Sequence, residues 1–151
     1  MNAYDKLRPY TIEACECNSV SGLFLIDLFT NNPLHCEVCR KEVDPERLKL
    51  STQETEAVAG WYAVASSLYR LWLDSGEYED YAKSCLVDPN GQVTRDGLKL
   101  AEALSDILPT KLWLFSDSDD GTPTHCPICG SELDTNVRWG TGACSKCRVQ
   151  M

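Results

Sequence analysis

Cys126-Pro127-Ile128-Cys129-Gly130, followed by Cys144-Ser145-Lys146-Cys147, is the stretch from which this chain is best read. Each Cys-x-x-Cys turn puts two sulfurs on one edge of a tetrahedron, the arrangement that zinc prefers with four soft ligands. The 14 residues between the pairs suffice for a short hairpin. Asn136-Val137-Arg138-Trp139 reads as a strand of that hairpin, and Gly140-Thr141-Gly142 as a turn. Gly130 supplies the positive φ at which a tight knuckle turns away from its metal. Residues 122–151 are therefore expected to form a zinc ribbon held by Cys126, Cys129, Cys144 and Cys147.

Upstream the sequence repeats itself. His35-Cys36-Glu37-Val38-Cys39-Arg40-Lys41-Glu42-Val43-Asp44 echoes His125-Cys126-Pro127-Ile128-Cys129-Gly130-Ser131-Glu132-Leu133-Asp134. The repeat predicts a second knuckle, with Arg40 in the place of the glycine. Cys15 and Cys17 are the ligands that would complete it: two residues apart in an extended segment, Tyr10 to Cys17, they project from one face. The alternative, cysteines facing a small core as compact hydrophobes, stays open from sequence alone. One zinc ion is thus expected at the C-terminal group, and a second if Cys15, Cys17, Cys36 and Cys39 converge. His35 and His125 directly precede ligand positions, so both are expected outside the ligand shell. The ninth cysteine, Cys85, lies on an apolar helical stripe and is expected in the core.

Length and composition bound the rest. A chain of 151 residues with 43% hydrophobic and 25% charged side chains is ordinary globular protein. No apolar run is long enough for a spanning helix, and the first ten residues lack a signal-peptide core. Cytoplasmic location without membrane association is the expectation, and it favours metal ligation of the cysteines over disulfides. The net charge of −9 is unevenly spread: residues 1–50 carry −2, 51–120 carry −8 and 121–151 carry +1. A phosphate-backbone binder needs clustered cations, which the acidic middle denies.

The middle is helical. Ser51-x-x-Glu54 is a capping box, so a helix starts at Thr52 and carries Val58, Trp61, Ala65, Leu68 and Trp72 as one apolar stripe until Gly76. Such an aromatic stripe is expected to be core, because its spacing already explains it. A second short helix carries Tyr78, Tyr81, Ala82, Cys85 and Leu86 on one side. Thr94 is expected to cap a third helix with Leu98, Ala101, Leu104 and Leu108 inward, stopped by Pro109. Lys111–Phe115 reads as a strand that pairs with Leu23–Phe29 or with Tyr10–Cys17. Ser116 to Thr124 reads as a solvated acidic linker; its Asp117–Gly121 run fails the calcium-loop register. The fold expected is α+β, a small mixed β-sheet with a zinc knuckle, a three-helix middle and the C-terminal ribbon. Residues 1–50 and 51–115 would form one domain, with 122–151 a satellite.

Tyr69-Arg70-Leu71-Trp72-Leu73-Asp74-Ser75-Gly76, Gly97 before a helix, Pro109-Thr110 before an aromatic strand, and Cys126-Pro127-Ile128-Cys129-Gly130 together carry a likeness. With Glu16-Cys17-Asn18-Ser19 and Pro33-Leu34-His35-Cys36, they make the chain resemble a bacterial family of uncharacterised zinc-ribbon proteins. The resemblance implies nucleic-acid binding, the role suggested for that family.

The residues themselves point elsewhere. Four thiolates fill a zinc shell, whereas catalytic zinc keeps a position open. The chain has no Gly-rich phosphate loop or nucleophile elbow, and no deaminase Pro-Cys-x-x-Cys accompanies His35-Cys36-Glu37. A non-enzymatic zinc protein with an acidic surface for a basic protein partner is the expectation. The alternative is nucleic-acid contact through Arg138, Lys146 and Arg148, with Trp139 free to stack on bases.

Overall fold

Very short strands with buried residues build the sheet in a computed structural model that describes residues 2–10 and 13–151. They are β1 (Leu23–Leu25), β2 (Leu34–Cys36), β3 (Thr110–Trp113), β4 (Ala143–Cys144) and β5 (Val149–Gln150), in the order β2-β1-β3-β5-β4. β1 runs antiparallel to β2, with Phe24 opposite His35, and parallel to β3, with Phe24 beside Lys111. β3 is parallel to β5, where Leu112 meets Val149, and β5 is antiparallel to β4. A parallel pair needs a crossover, and the three helices between β2 and β3 are part of it. Every residue of β1 and β2 is buried, as expected of strands covered on both faces.

α1 (Thr52–Asp74) begins where the capping box places it: the Ser51 hydroxyl accepts from Glu54 N at 3.0 Å and the Glu54 carboxylate accepts from Ser51 N at 2.8 Å. Gly76, at φ +65°, turns the chain out of that helix. α2 (Glu79–Val87) packs against α1, and α3 (Gln92–Leu104) packs against both α1 and β3. Gly97 lets α3 approach the sheet closely; a Cβ there would stand 3.0 Å from the Leu112 methyls and 3.1 Å from Trp61 Nε1. No helix among the described residues is long and apolar enough to cross a membrane.

Several local expectations are corrected. α3 is capped by Gly91 rather than Thr94, because the Asp88 carboxylate closes the preceding turn on Asn90 N (2.9 Å) and delivers an extended Gly91 to the helix. Thr94 lies inside the first turn and is buried. Tyr78 and Tyr81 are exposed and Cys85 only half-buried, since the short α2 buries just Ala82 fully. Asn136–Trp139 is not a strand: the Asp134 carboxylate accepts from Asn136 N at 2.9 Å and bends the chain. The acidic linker is held, with Lys83 Nζ at 2.9 Å from both Asp117 and Asp120. Of the extended segment expected over Tyr10–Cys17, Thr11 and Ile12 lie outside the described residues. β5, in the C-terminal unit, extends the same sheet through β3.

Candidate metal centres

The repeated sequence motif is a repeated structure. In the first knuckle Cys36 N donates to Lys41 O (2.9 Å), Arg40 N to Cys36 O (2.8 Å) and Val43 N to Leu34 O (2.8 Å). In the second, Cys126 N donates to Ser131 O (2.8 Å), Gly130 N to Cys126 O (2.8 Å) and Leu133 N to Thr124 O (2.9 Å). Both close with an antiparallel bridge, His35 to Glu42 and His125 to Glu132.

The position after the second cysteine needs a left-handed backbone in each, φ +77° at Gly130 and φ +61° at Arg40. Glycine adopts it freely; arginine must be held there. His35, 2% exposed, supplies one hold by pointing Nδ1 at the Arg40 carbonyl, 2.6 Å away. Burial draws its pKa below that of a free histidine, against the opposing pull of the two carbonyls at its ring nitrogens, Arg40 O at Nδ1 and Asn32 O 3.0 Å from Nε2. Stacking supplies another: the Arg40 guanidinium lies 5.1 Å from the ring centroids of both Trp113 and Trp139. His125 has no such duty beside Gly130 and is exposed, with only the Thr124 hydroxyl for company (2.8 Å).

Each knuckle receives two further cysteines from a neighbouring segment. The Cys15–Cys17 segment is laid along Glu42, with Cys15 N donating to Glu42 O at 2.7 Å. Arg47 clamps it from the other side, Nη1 on Cys15 O (2.9 Å) and Nη2 on Cys17 O (2.6 Å). Cys144 and Cys147 arrive on the β4–β5 turn, which Ala143 anchors to Asp134 by reciprocal backbone bonds of 2.9 and 3.0 Å.

The outcome is two four-sulfur groups: Cys15, Cys17, Cys36 and Cys39, and Cys126, Cys129, Cys144 and Cys147. In each, all sulfurs lie within 4.8 Å of one another, and all are free thiols. Cys129 Sγ and Cys144 Sγ are 3.7 Å apart. A disulfide would require about 2.05 Å, whereas a tetrahedron with zinc–sulfur bonds of about 2.3 Å has edges near ~3.8 Å. Val38 N points at Cys36 Sγ (3.4 Å); burial raises the pKa of Cys126, and the Cys129 and Ile128 amides aimed at its sulfur offset part of that rise.

Crowding makes the thiols unequal. Hydrogen bonds from the Ser131 hydroxyl and amide bring Cys129 down to about 6, while burial pushes Cys39 and Cys147 up to about 12. Four thiolates at these separations need a cation among them. The two groups therefore fit structural metal binding, and the donor set suits zinc.

The four residues suggested for nucleic-acid contact differ in role. Arg138, Lys146 and Arg148 are exposed. Trp139 is committed: its Nε1 donates to Glu37 O at 2.8 Å, and its ring carries Arg40 and Arg138. The sequence reading missed Arg47, whose only signal was a lone cation just after the first knuckle, and the Trp139–Glu37 link, which had none. Comparison with known protein families, curated proteins and solved structures returns no match.

Proposed function

We propose that this chain is a non-enzymatic interaction module in which two zinc ions, one per tetracysteine group, fix a sheet that displays an acidic helical face to a basic protein partner. The carrying observation is the pair of four-sulfur groups. A zinc ion with four protein sulfurs has no position left for substrate or water, so its contribution is to folding. Each such site also adds a net charge of about −2 to an already acidic chain.

The surface that supports a protein partner is the corner between α1 and α2. There Leu73, Tyr78 and Tyr81 are 51%, 53% and 65% exposed, among the acidic Asp74, Glu77, Glu79 and Asp80. Exposed tyrosines ringed by one sign of charge suit an interface in which aromatic anchors bind and charge steers. The exposed Arg138, Lys146 and Arg148 favour the second reading, a nucleic-acid contact at the ribbon, and so does the family resemblance. Against it stand the committed Trp139 and the net charge.

Titration of the zinc-loaded chain with a labelled Lys/Arg-rich peptide, and in parallel with labelled single- and double-stranded DNA and RNA, separates the two. The expected result is saturable, salt-sensitive peptide binding that a Glu77→Lys/Glu79→Lys/Asp80→Lys triple variant removes. Micromolar nucleic-acid binding that Arg138→Glu abolishes overturns it.

A further inference from the structure

One of the eight ligand cysteines stands apart in its access to solvent. Cys129 is exposed, whereas Cys126 and Cys144 beside it are 1% and 7% exposed and Cys147 is half-buried. The first group has no such opening. Cys15 and Cys36 are buried, Cys17 and Cys39 are half-buried against the core, and Arg47 lies across the Cys15 and Cys17 carbonyls. The surroundings of Cys129 are as bare as the residue itself. Pro127, Gly130, Ser131 and Glu132 are all exposed, and a Cβ at Gly130 would meet nothing within 4 Å. Cys144 Sγ, on the other arm of the ribbon, is 3.7 Å from Cys129 Sγ.

The thiolate is both the metal ligand and the nucleophile of cysteine chemistry, and its rate of oxidation follows its access. A peroxide therefore reaches one ligand sulfur ahead of the rest. The chemistry closes on two residues. The Cys129 thiolate attacks a peroxide oxygen and the O–O bond breaks, leaving a sulfenic acid on Cys129 and releasing hydroxide. The Cys144 thiolate then attacks the Cys129 sulfur, forms the S–S bond and expels a second hydroxide. Two sulfurs lose two electrons, one hydrogen peroxide accepts them, and two protons from solvent turn the hydroxides into water. Cys126 and Cys147 alone remain, half of the four ligands that a structural zinc site uses.

We propose that Cys129 is an oxidative modification site, resolved by Cys144, through which a peroxide empties the C-terminal metal group and spares the N-terminal one. The inference rests on the reading of both groups as structural zinc sites. Its effect on the fold follows from the place of Cys144, which lies in the edge strand β4 opposite Val149 of β5. Emptying the group loosens that edge of the sheet, and a thiol reductant with fresh zinc restores it.

Elemental analysis of the full chain before treatment separates the two claims. A chain without zinc refutes the structural-zinc reading and this proposal with it, while about two ions per chain leaves only the proposal at stake. Hydrogen peroxide in modest excess, with a chromogenic chelator present, is then expected to free about one ion per chain in a phase about tenfold faster than the next. Trypsin cuts after Arg138 and Lys146, so Cys129, Cys144 and Cys147 fall in separate peptides, and fragmentation of the oxidised digest is expected to show a Cys129–Cys144 bridge. Dimedone added with the peroxide is expected to label Cys129 ahead of the other ligand cysteines. Cys129→His, which keeps a zinc ligand but removes the sulfur, is expected to slow the first phase about tenfold. Should that variant fail to take up zinc, the dimedone labelling of the parent decides. Release of both ions at one rate, first release from the Cys15–Cys39 group, a bridge that leaves Cys129 or Cys144 free, labelling spread evenly over the ligands, or release from folded Cys129→His as fast as from the parent overturns the proposal.

Discussion

Trp139 reaches Glu37 across 102 residues of sequence, its indole N–H donating to the Glu37 carbonyl at 2.8 Å. Glu37 lies between Cys36 and Cys39, so the bond ties the ribbon directly to the turn that carries two ligands of the other metal group. Arg40, stacked between Trp113 and Trp139, reinforces the same join.

Trp139→Phe keeps a ring beside Arg40 but deletes that bond. Losing one part-buried hydrogen bond of this kind costs about 0.5–1.5 kcal/mol. The variant is expected to retain both metal ions by elemental analysis, to melt at a lower temperature, and to release metal from the Cys15–Cys39 group faster to a chromogenic chelator. Unchanged release would mean that the two centres are independent.

Metal removal is expected to do more than melt the ribbon. Cys36 ends β2 and Cys144 ends β4, the two edge strands of one sheet, so chelation loosens both edges while α1 persists. Zinc content near two per chain should fall to one in Cys36→Ser and likewise in Cys144→Ser. Hydrogen exchange should show β2 and β4–β5 losing protection and α1 keeping it. Two ions retained in either variant would contradict the ligand assignment.

The phenol of Tyr62 should ionise late. Burial first, then the charge and hydrogen bond of Asp27, raise its pKa well above that of a free tyrosine, and burial also raises that of Tyr69. A folded-state pKa above the unfolded value of about 10 gives stability that is complete below pH 10 and lost as pH climbs toward the folded value. Following the phenolate band in alkali should show a delayed component that Tyr62→Phe removes. The parent should also unfold at a lower pH than a simple sum of exposed tyrosines and lysines would give.

At Gly140 no side chain fits. Its φ is +74°, and a Cβ would run into the Met151 carbonyl and stand 2.8 Å from Trp113 Cζ2. Gly140→Ala is expected to cost about 1–3 kcal/mol through combined backbone strain and overpacking. Thermal denaturation of the zinc-loaded protein reads this directly. Gly60→Ala serves as the comparison, since a Cβ there meets nothing within 4 Å and should be neutral or stabilising.

What the sequence disclosed, and what it withheld, follows from the range of the interactions. Chelating turns and helix caps are local: the cysteine pairs, the Ser51–Glu54 box and the left-handed position after the second cysteine are all written within a few residues. The strands are two to four residues long. At that length no period shows, and the parallel pairing of β3 with both β1 and β5 depends on neighbours far away in the chain. Arg40 illustrates the limit. As a substitute for glycine it reads as a weakness of the knuckle, yet the His35 ring and two distant indoles hold it in place. The apolar stripe of α1 was legible in the spacing; that Trp61 spends its indole N–H on the Val93 carbonyl, 2.9 Å away on α3, was not.

The position of β3 has a consequence for biosynthesis. Its two neighbours are supplied by different halves of the chain, β1 long before it and β5 after it. On the ribosome, Cys15 through Cys39 emerge together and can capture their ion early, without waiting for the helices. The central strand, by contrast, has its flank open until the last four cysteines have left the exit tunnel. A nascent chain starved of metal at that late moment would display an unsatisfied parallel edge, the kind of surface that chaperones cover and that misassembles when they do not.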